Sequence, residues 1–170
     1  QRVLSYLEGR LATAIARYRL KEKYEFTKTH DIITRLWNRS SFWGWNTHWE
    51  EKGMTSLGIL MTDVVGLHKI NEEFGYARGN DSLSQVAKIL EELFQGYRCF
   101  RYEDDTMLAF CPNISEPAFK TLVSLTKERL EELSFGVSCG MSWSENIDVS
   151  GLLKDAESVI TIEKSTSIDV

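Results

Sequence analysis

The sequence predicts an α/β sandwich, a central sheet flanked by helices and preceded by a separate N-terminal helix. Three observations carry this. A compact apolar run over 56–65 is bounded by Gly53 and Gly66. Two short apolar arms, 98–102 and 106–111, flank an acidic bend. Segments of helical period are interleaved with these strands. With 170 residues, 42% apolar and 26% charged, the chain suits one domain of ordinary size plus a helical extension. Only two prolines and no low-complexity run leave little of it to disorder.

Residues 1–29 form the extension. Leu4, Leu7, Leu11, Ala14 and Tyr18 follow a three-four spacing that makes a narrow apolar stripe on a helix. The stripe suits a parallel pair of helices, although its length, about two and a half heptads, falls short of a coiled-coil assignment. A helix packing on its own domain stays open as the alternative.

Residues 30–170 form the domain. Its opening, Asp31 to Arg39, suits a turn, and Ser40 or Ser41 can cap a helix running to about Lys52. That helix carries Phe42, Trp43, Trp45 and Trp49, with Trp45 and Trp49 on one side, and the aromatics read as core packing. The run 56–65 reads as a buried central strand ending near Asp63. Helices follow at 67–74 and from about Asp81 to Leu93, joined at Gly75. The arms 98–102 and 106–111 form a hairpin whose turn tolerates Asp in unusual backbone conformations, with Pro112 ending the second arm. A helix at 115–133, a strand at 134–143 and a helix from Val149 to about Lys164 complete the order.

Charge and composition narrow the function. A formal net charge of −5 disfavours a nucleic-acid partner, because phosphate-backbone affinity needs clustered Lys and Arg. The mixed run Arg17 to Lys28 reads as a solvated helix face. No stretch approaches the ~18 apolar residues of a membrane span, and none reads as a secretory leader. Cys99, Cys111 and Cys139 lack metal-type spacing and read as buried reduced thiols, which makes the cytosol the default location.

The chemistry-bearing candidates are acids at strand ends. Asp63 and Asp105 meet if the 56–65 strand lies beside the hairpin, and two carboxylates are a minimum for holding Mg²⁺ on a triphosphate. Lone strand-end acids are more often solvated or salt-bridged.

Five ordered segments resemble the GGDEF domain, the diguanylate cyclase family, over nearly all of residues 30–168. Asp31-x-Ile33-Thr34-x-Leu36-x-Asn38-Arg39 resembles the family's D-x-L-T-x-L-x-N-R. Asp63-Val64-Val65, then Ile70-Asn71-Glu72 and Gly75, resembles D-x-D and I-N-D-x-x-G, with Gly79-Asn80 and Leu83 following in step. Arg101-Tyr102-Glu103-Asp104-Asp105-Thr106-Met107 stands where the family reads R-Y-G-G-D-E-F. Ser138-Cys139-Gly140 resembles S-I-G, and Ala156-Glu157 with Lys164 resembles A-D…A-K.

The resemblance implies a nucleotide-cyclase-like, mainly antiparallel sheet behind a linker helix, joined to an upstream sensor of GAF or PAS type. It implies two divalent metals held by Asp63, the Val64 carbonyl and Asp105, and nucleotide contacts at Asn71, Asn80 and Lys164. Several positions depart from the pattern. Glu103 and Asp104 replace the glycines that admit the triphosphate, and their charge repels it. Thr106 replaces the second acid of the signature, Val65 the second acid of the early motif, His68 a Lys, and Ile168 a phosphate-binding Arg. Asn80 replaces a base-reading Asp and loses its charge-assisted bond. Phe94 and Tyr97 fall where the product-inhibition R-x-x-D would be.

The function expected is therefore that of a degenerate GGDEF domain in bacterial cyclic di-GMP signalling, with no catalytic residues beyond the vestigial Asp63 and Asp105. It would act as a dimerising or partner-binding module, through the N-terminal helix or the domain, with weak guanine-nucleotide binding and Mg²⁺ only alongside nucleotide. The alternative is an active diguanylate cyclase that condenses two GTP with Mg²⁺. A ligand-free structural module is the third class.

Overall fold

The first 29 residues hold no proline and a single glycine, Gly9, so nothing interrupts helical hydrogen bonding. The computed structural model, which describes residues 2–46 and 53–167, shows α1 (Arg2–Thr29) as one continuous helix. Its stripe does not pack on the chain's own domain: Leu4, Leu7, Leu11 and Tyr18 are all more than half exposed.

From α1 the chain turns through Asp31–Leu36, where Arg35 adopts a left-handed φ of 67°. Backbone bonds hold that turn, from Arg35 N–H to the Asp31 carbonyl (3.0 Å) and from Asp31 N–H to the Leu36 carbonyl (2.8 Å). Helix α2 (Arg39–Asn46) begins at once. Its cap is neither Ser40 nor Ser41 but Asn38, whose Oδ1 accepts the Ser41 N–H (2.9 Å). The Asn38 Nδ2 donates in the other direction, to the Thr27 and Lys28 carbonyls at the end of α1 (3.3 and 3.0 Å). The Ser41 hydroxyl is spent on the Thr29 carbonyl (2.8 Å). One amide thus closes the end of one helix and the start of the next. Asn38→Ala is expected to cost about 2 kcal/mol, and Asn38→Asp, which keeps only the acceptor, about half that. Thermal melts of the two variants, ranked in that order, are the check.

The strands are β1 (Leu57–Val64), β2 (Arg98–Arg101), β3 (Thr106–Pro112) and β4 (Val137–Ser144). They form an antiparallel sheet in the order β2-β3-β1-β4. β1 is buried throughout, as its unbroken apolar run requires of a central strand. Trp37 bridges to Phe100 on the outer edge of β2, so the turn after α1 is stitched to the sheet. β4 starts three residues later than the sequence suggests, because 134–136 turns and the Gly136 carbonyl accepts the Val65 N–H (2.9 Å).

Alternation along the strands sorts two cores. Helices α3 (Leu67–Phe74), α4 (Tyr76–Leu93) and α5 (Glu116–Glu131) lie on the face holding Leu60, Val64, Met107 and Ala109. Helix α6 (Val149–Ser167) and α2 cover the face holding Ile59, Met61, Leu108 and Phe110. Phe42 is core, edge-on to Phe100, Tyr102 and Phe110, whereas Trp43 is 41% exposed. Trp49 and the expected helix end at Lys52 lie outside the described residues. Helix α4 begins at Tyr76, not near Asp81. Its poor helix former Gly79 is held by packing on α3, where it is buried against Asn71 and Leu67. The three cysteines are buried, and burial, with Glu91 nearby, pushes the Cys99 thiol up to about 12.

Candidate functional site

β1 and β3 pair so that Asp63 faces Thr106, and the Val64 N–H donates to the Asp105 carbonyl (3.2 Å). The register brings the two strand-end acids together as the sequence requires. Between them stands the Thr106 hydroxyl, 3.4 Å from Asp63 Oδ2 and 3.4 Å from Asp105 Oδ1. Its single proton serves either carboxylate. Asp63 and Thr106 are buried and Asp105 is half-buried. Sequence reasoning treated Thr106 only as a lost acid; its bridging position depends on cross-strand register.

The bend is closed by Arg101. Its Nε donates to the Glu103 carbonyl (3.3 Å) and its Nη2 to the Asp104 carbonyl, while Nη1 reaches Asp31 Oδ1 (3.1 Å). Asp31 Oδ1 also accepts the Thr34 N–H and hydroxyl (2.8 and 2.7 Å). Burial works to raise the Asp31 carboxyl, but the Thr34 bonds and the Arg101 charge outweigh it and hold the group below the usual carboxylate range. The Tyr102 and Glu103 N–H groups both donate to the Thr106 carbonyl (2.9 and 3.1 Å). No tip residue has positive φ: Arg35 and Asn113 are the non-glycine cases among the described residues. The tip therefore does not draw on the left-handed backbone that Asp tolerates. Glycine is not needed here for conformation, so Glu103 and Asp104 add bulk and charge without strain. Glu103 is partly offset by Arg39, 3.6 Å away, whose guanidinium also lies over the Tyr102 ring at 5.2 Å. Asp104 is exposed. Met107, the last signature residue, is fully buried.

Beyond β1, Gly66 takes φ 67° and starts α3 directly, which carries Asn71. The Asn71 Oδ1 is buried without a hydrogen-bond partner. It sits where a β-carbon on Gly79 would come within 1.9 Å, so only glycine leaves room for it. Asn80, one residue on, is exposed, and its carbonyl accepts the Ser84 hydroxyl (2.9 Å). Lys164 lies on α6, with its side chain outside the described residues. Phe94 is core and Tyr97 packs against it, so the positions of an R-x-x-D are filled by apolar packing.

Among the described residues no three His, Cys, Asp or Glu side chains converge on a cation-sized space. Asp63, the Val64 carbonyl and Asp105 are the groups that would hold Mg²⁺ here, with water and substrate phosphates completing its shell, and the Thr106 hydroxyl stands between the two carboxylates.

The family model for the diguanylate cyclase GGDEF domain matches residues 28–167. This chain belongs to that family. The GGDEF domain is similar in structure to the coiled coil and GGDEF domain of DgcB from Caulobacter crescentus, solved in complex with c-di-GMP. That match has a TM-score of 0.72 at 19% identity and covers 94% of this chain and 95% of that one. It is also similar to the diguanylate cyclase SiaD of Pseudomonas aeruginosa, solved with its activator SiaC. There the TM-score is 0.73 at 18% identity, over 97% of this chain and 70% of that one. The Vibrio cholerae LapD S helix-GGDEF-EAL structure matches with a TM-score of 0.72 at 17% identity, over 88% of this chain and 37% of that one. A curated relative, the uncharacterized membrane protein SERP0413 of Staphylococcus epidermidis, is 21% identical over 168 residues. The match covers 87% of this chain and 46% of the relative, so the chain spans less than half of that protein. At these identities the solved structures establish the fold, including a helix ahead of the domain. Among the described residues no helix is long and apolar enough to cross a membrane.

Proposed function

We propose that this GGDEF domain is catalytically silent and works in the cytosol as a dimerising or partner-binding relay in cyclic di-GMP signalling, driven by an upstream sensor of GAF or PAS type. The observation that carries the reading is the signature bend. Glu103 and Asp104 stand at the positions where the family has the glycines that admit a triphosphate, and the Thr106 hydroxyl lies between the two remaining carboxylates. A metal on Asp63 and Asp105 would have to displace that hydroxyl. Guanine nucleotide is bound weakly at most, through Asn71, Asn80 and Lys164, with Mg²⁺ arriving only with it.

The exposed stripe of α1 supports dimerisation, since a second copy of the helix would cover Leu4, Leu7 and Leu11. Partner binding is in keeping with the activator-bound SiaD structure, and a sensor upstream with the greater length of the curated relative. The active-cyclase reading rests on one observation, the adjacency of Asp63 and Asp105. Incubation with GTP and Mg²⁺ is expected to yield no cyclic di-GMP above background. Product that disappears in Asp105→Ala would reverse the assignment.

A further inference from the structure

The joint between α1 and the sheet contains a titratable ring that no catalytic role uses. His30 directly follows α1, and its imidazole stacks on Phe26 (centroids 4.4 Å apart, planes 10° apart) and meets Trp37 at 4.2 Å. Each neighbouring ring also carries a guanidinium, Arg35 lying 4.1 Å from the Phe26 centroid and Arg98 4.4 Å from that of Trp37. Arg98 in turn lies over Trp45. The stack thus runs from the turn through α1 to β2 and α2. It coincides with the backbone bridge His30–Trp37 and with Trp37–Phe100, which attach the helix to the sheet edge.

We infer that His30 is a proton-operated latch on this joint: neutral, it is the middle ring fixing α1 to the sheet edge; protonated, it is a third cation between Arg35 and Arg98, and the joint loosens. A bare aromatic sandwich would welcome a cation. Here both aromatic neighbours already carry one, and the site is half-buried. Burial is the largest influence and lowers the His30 pKa; the Phe26 carbonyl and Glu91 of α4 favour the charged form, while Arg35 and Arg98 oppose it. The hydroxyl of Thr29 lies 2.8 Å from Nδ1, and the adjacent Asp31 is engaged by Thr34 and Arg101. Since the folded-state value is depressed, the stability His30 lends is complete above its ordinary 6.5 and is lost as pH falls below that. As regulation of the relay proposed above, the latch rests on α1 being its input. Its physical test needs neither nucleotide nor partner, so it can fail while that relay stands.

Hydrogen exchange reads the joint at three amides: Trp37, bonded to the Cys99 carbonyl (3.1 Å), Asn38, bonded to the Thr29 carbonyl (2.9 Å), and Arg101, bonded to the Trp37 carbonyl (2.7 Å). Between about pH 7.5 and about pH 5.5 their protection factors are expected to fall several-fold in the native chain and to hold steady in His30→Phe, which keeps the stack without the proton. An equal fall in His30→Phe, or no fall in the native chain, overturns the latch. Should His30→Phe not fold, NMR titration of the native chain decides: a His30 ring titrating below its ordinary value, in step with the Trp37 amide, supports it, and one titrating at or above that value overturns it.

Discussion

Replacing Asp104 by glycine is expected to raise the affinity for GTP in Mg²⁺ about tenfold, and Glu103→Gly by distinctly less. The ranking follows from what surrounds each acid. Glu103 is half offset by Arg39, whereas no ion pair holds Asp104 among the described residues. Both side chains are exposed, so water and salt screen them and the gain stays well below what a buried charge would cause. Because the tip backbone is conventional, the double variant removes bulk and charge without changing the shape of the bend. Calorimetric titration of the three variants is the measurement. If the double variant binds GTP no better than the native chain, the bend is not the obstacle.

The largest effect on stability is expected from Gly140→Ala. A β-carbon there would stand 1.8 Å from the Ala156 carbonyl oxygen and 3.0 Å from the Ile160 side chain. The obstruction is helix backbone. It cannot rotate away, and α6 is already held to β4 by the Ser142 hydroxyl bonding to the Leu152 carbonyl (2.7 Å). The helix must lift off the sheet and uncover Leu152, Leu153 and Ile160, at a cost of about 3 kcal/mol or more. For a chain of this size that lowers the melting temperature by roughly 10 °C. Gly44→Ala is the matched control, as nothing lies within 4 Å of its added carbon on the short helix α2. A Gly140→Ala melt within about 2 °C of native would contradict the close approach of α6.

What the sequence made legible was whatever rests on local pattern. β1 announced itself as an uninterrupted apolar run, the hairpin as two arms around an acidic bend, and the meeting of Asp63 with Asp105 needed only that these strands be neighbours. The start of α4 was hidden because Gly79 and Asn80 carry no helical signal of their own; packing against α3 supplies it. Asn38 was passed over as a cap in favour of the serines that follow it. Its double use is visible only once the end of α1 comes back beside the start of α2. The roles of Thr106 and Arg101 were likewise beyond local reading, since one depends on cross-strand register and the other on a contact with Asp31, seventy positions earlier.

That contact has a mechanical consequence. Arg101 grips Asp31, two residues past α1, with one arm and the carbonyls of the signature bend with two others. A tilt or twist of the long helix can therefore reach the bend through this fork, as a lever acts across its fulcrum. On such a linkage the bend can follow the posture of the helix, and it needs no bound nucleotide to do so.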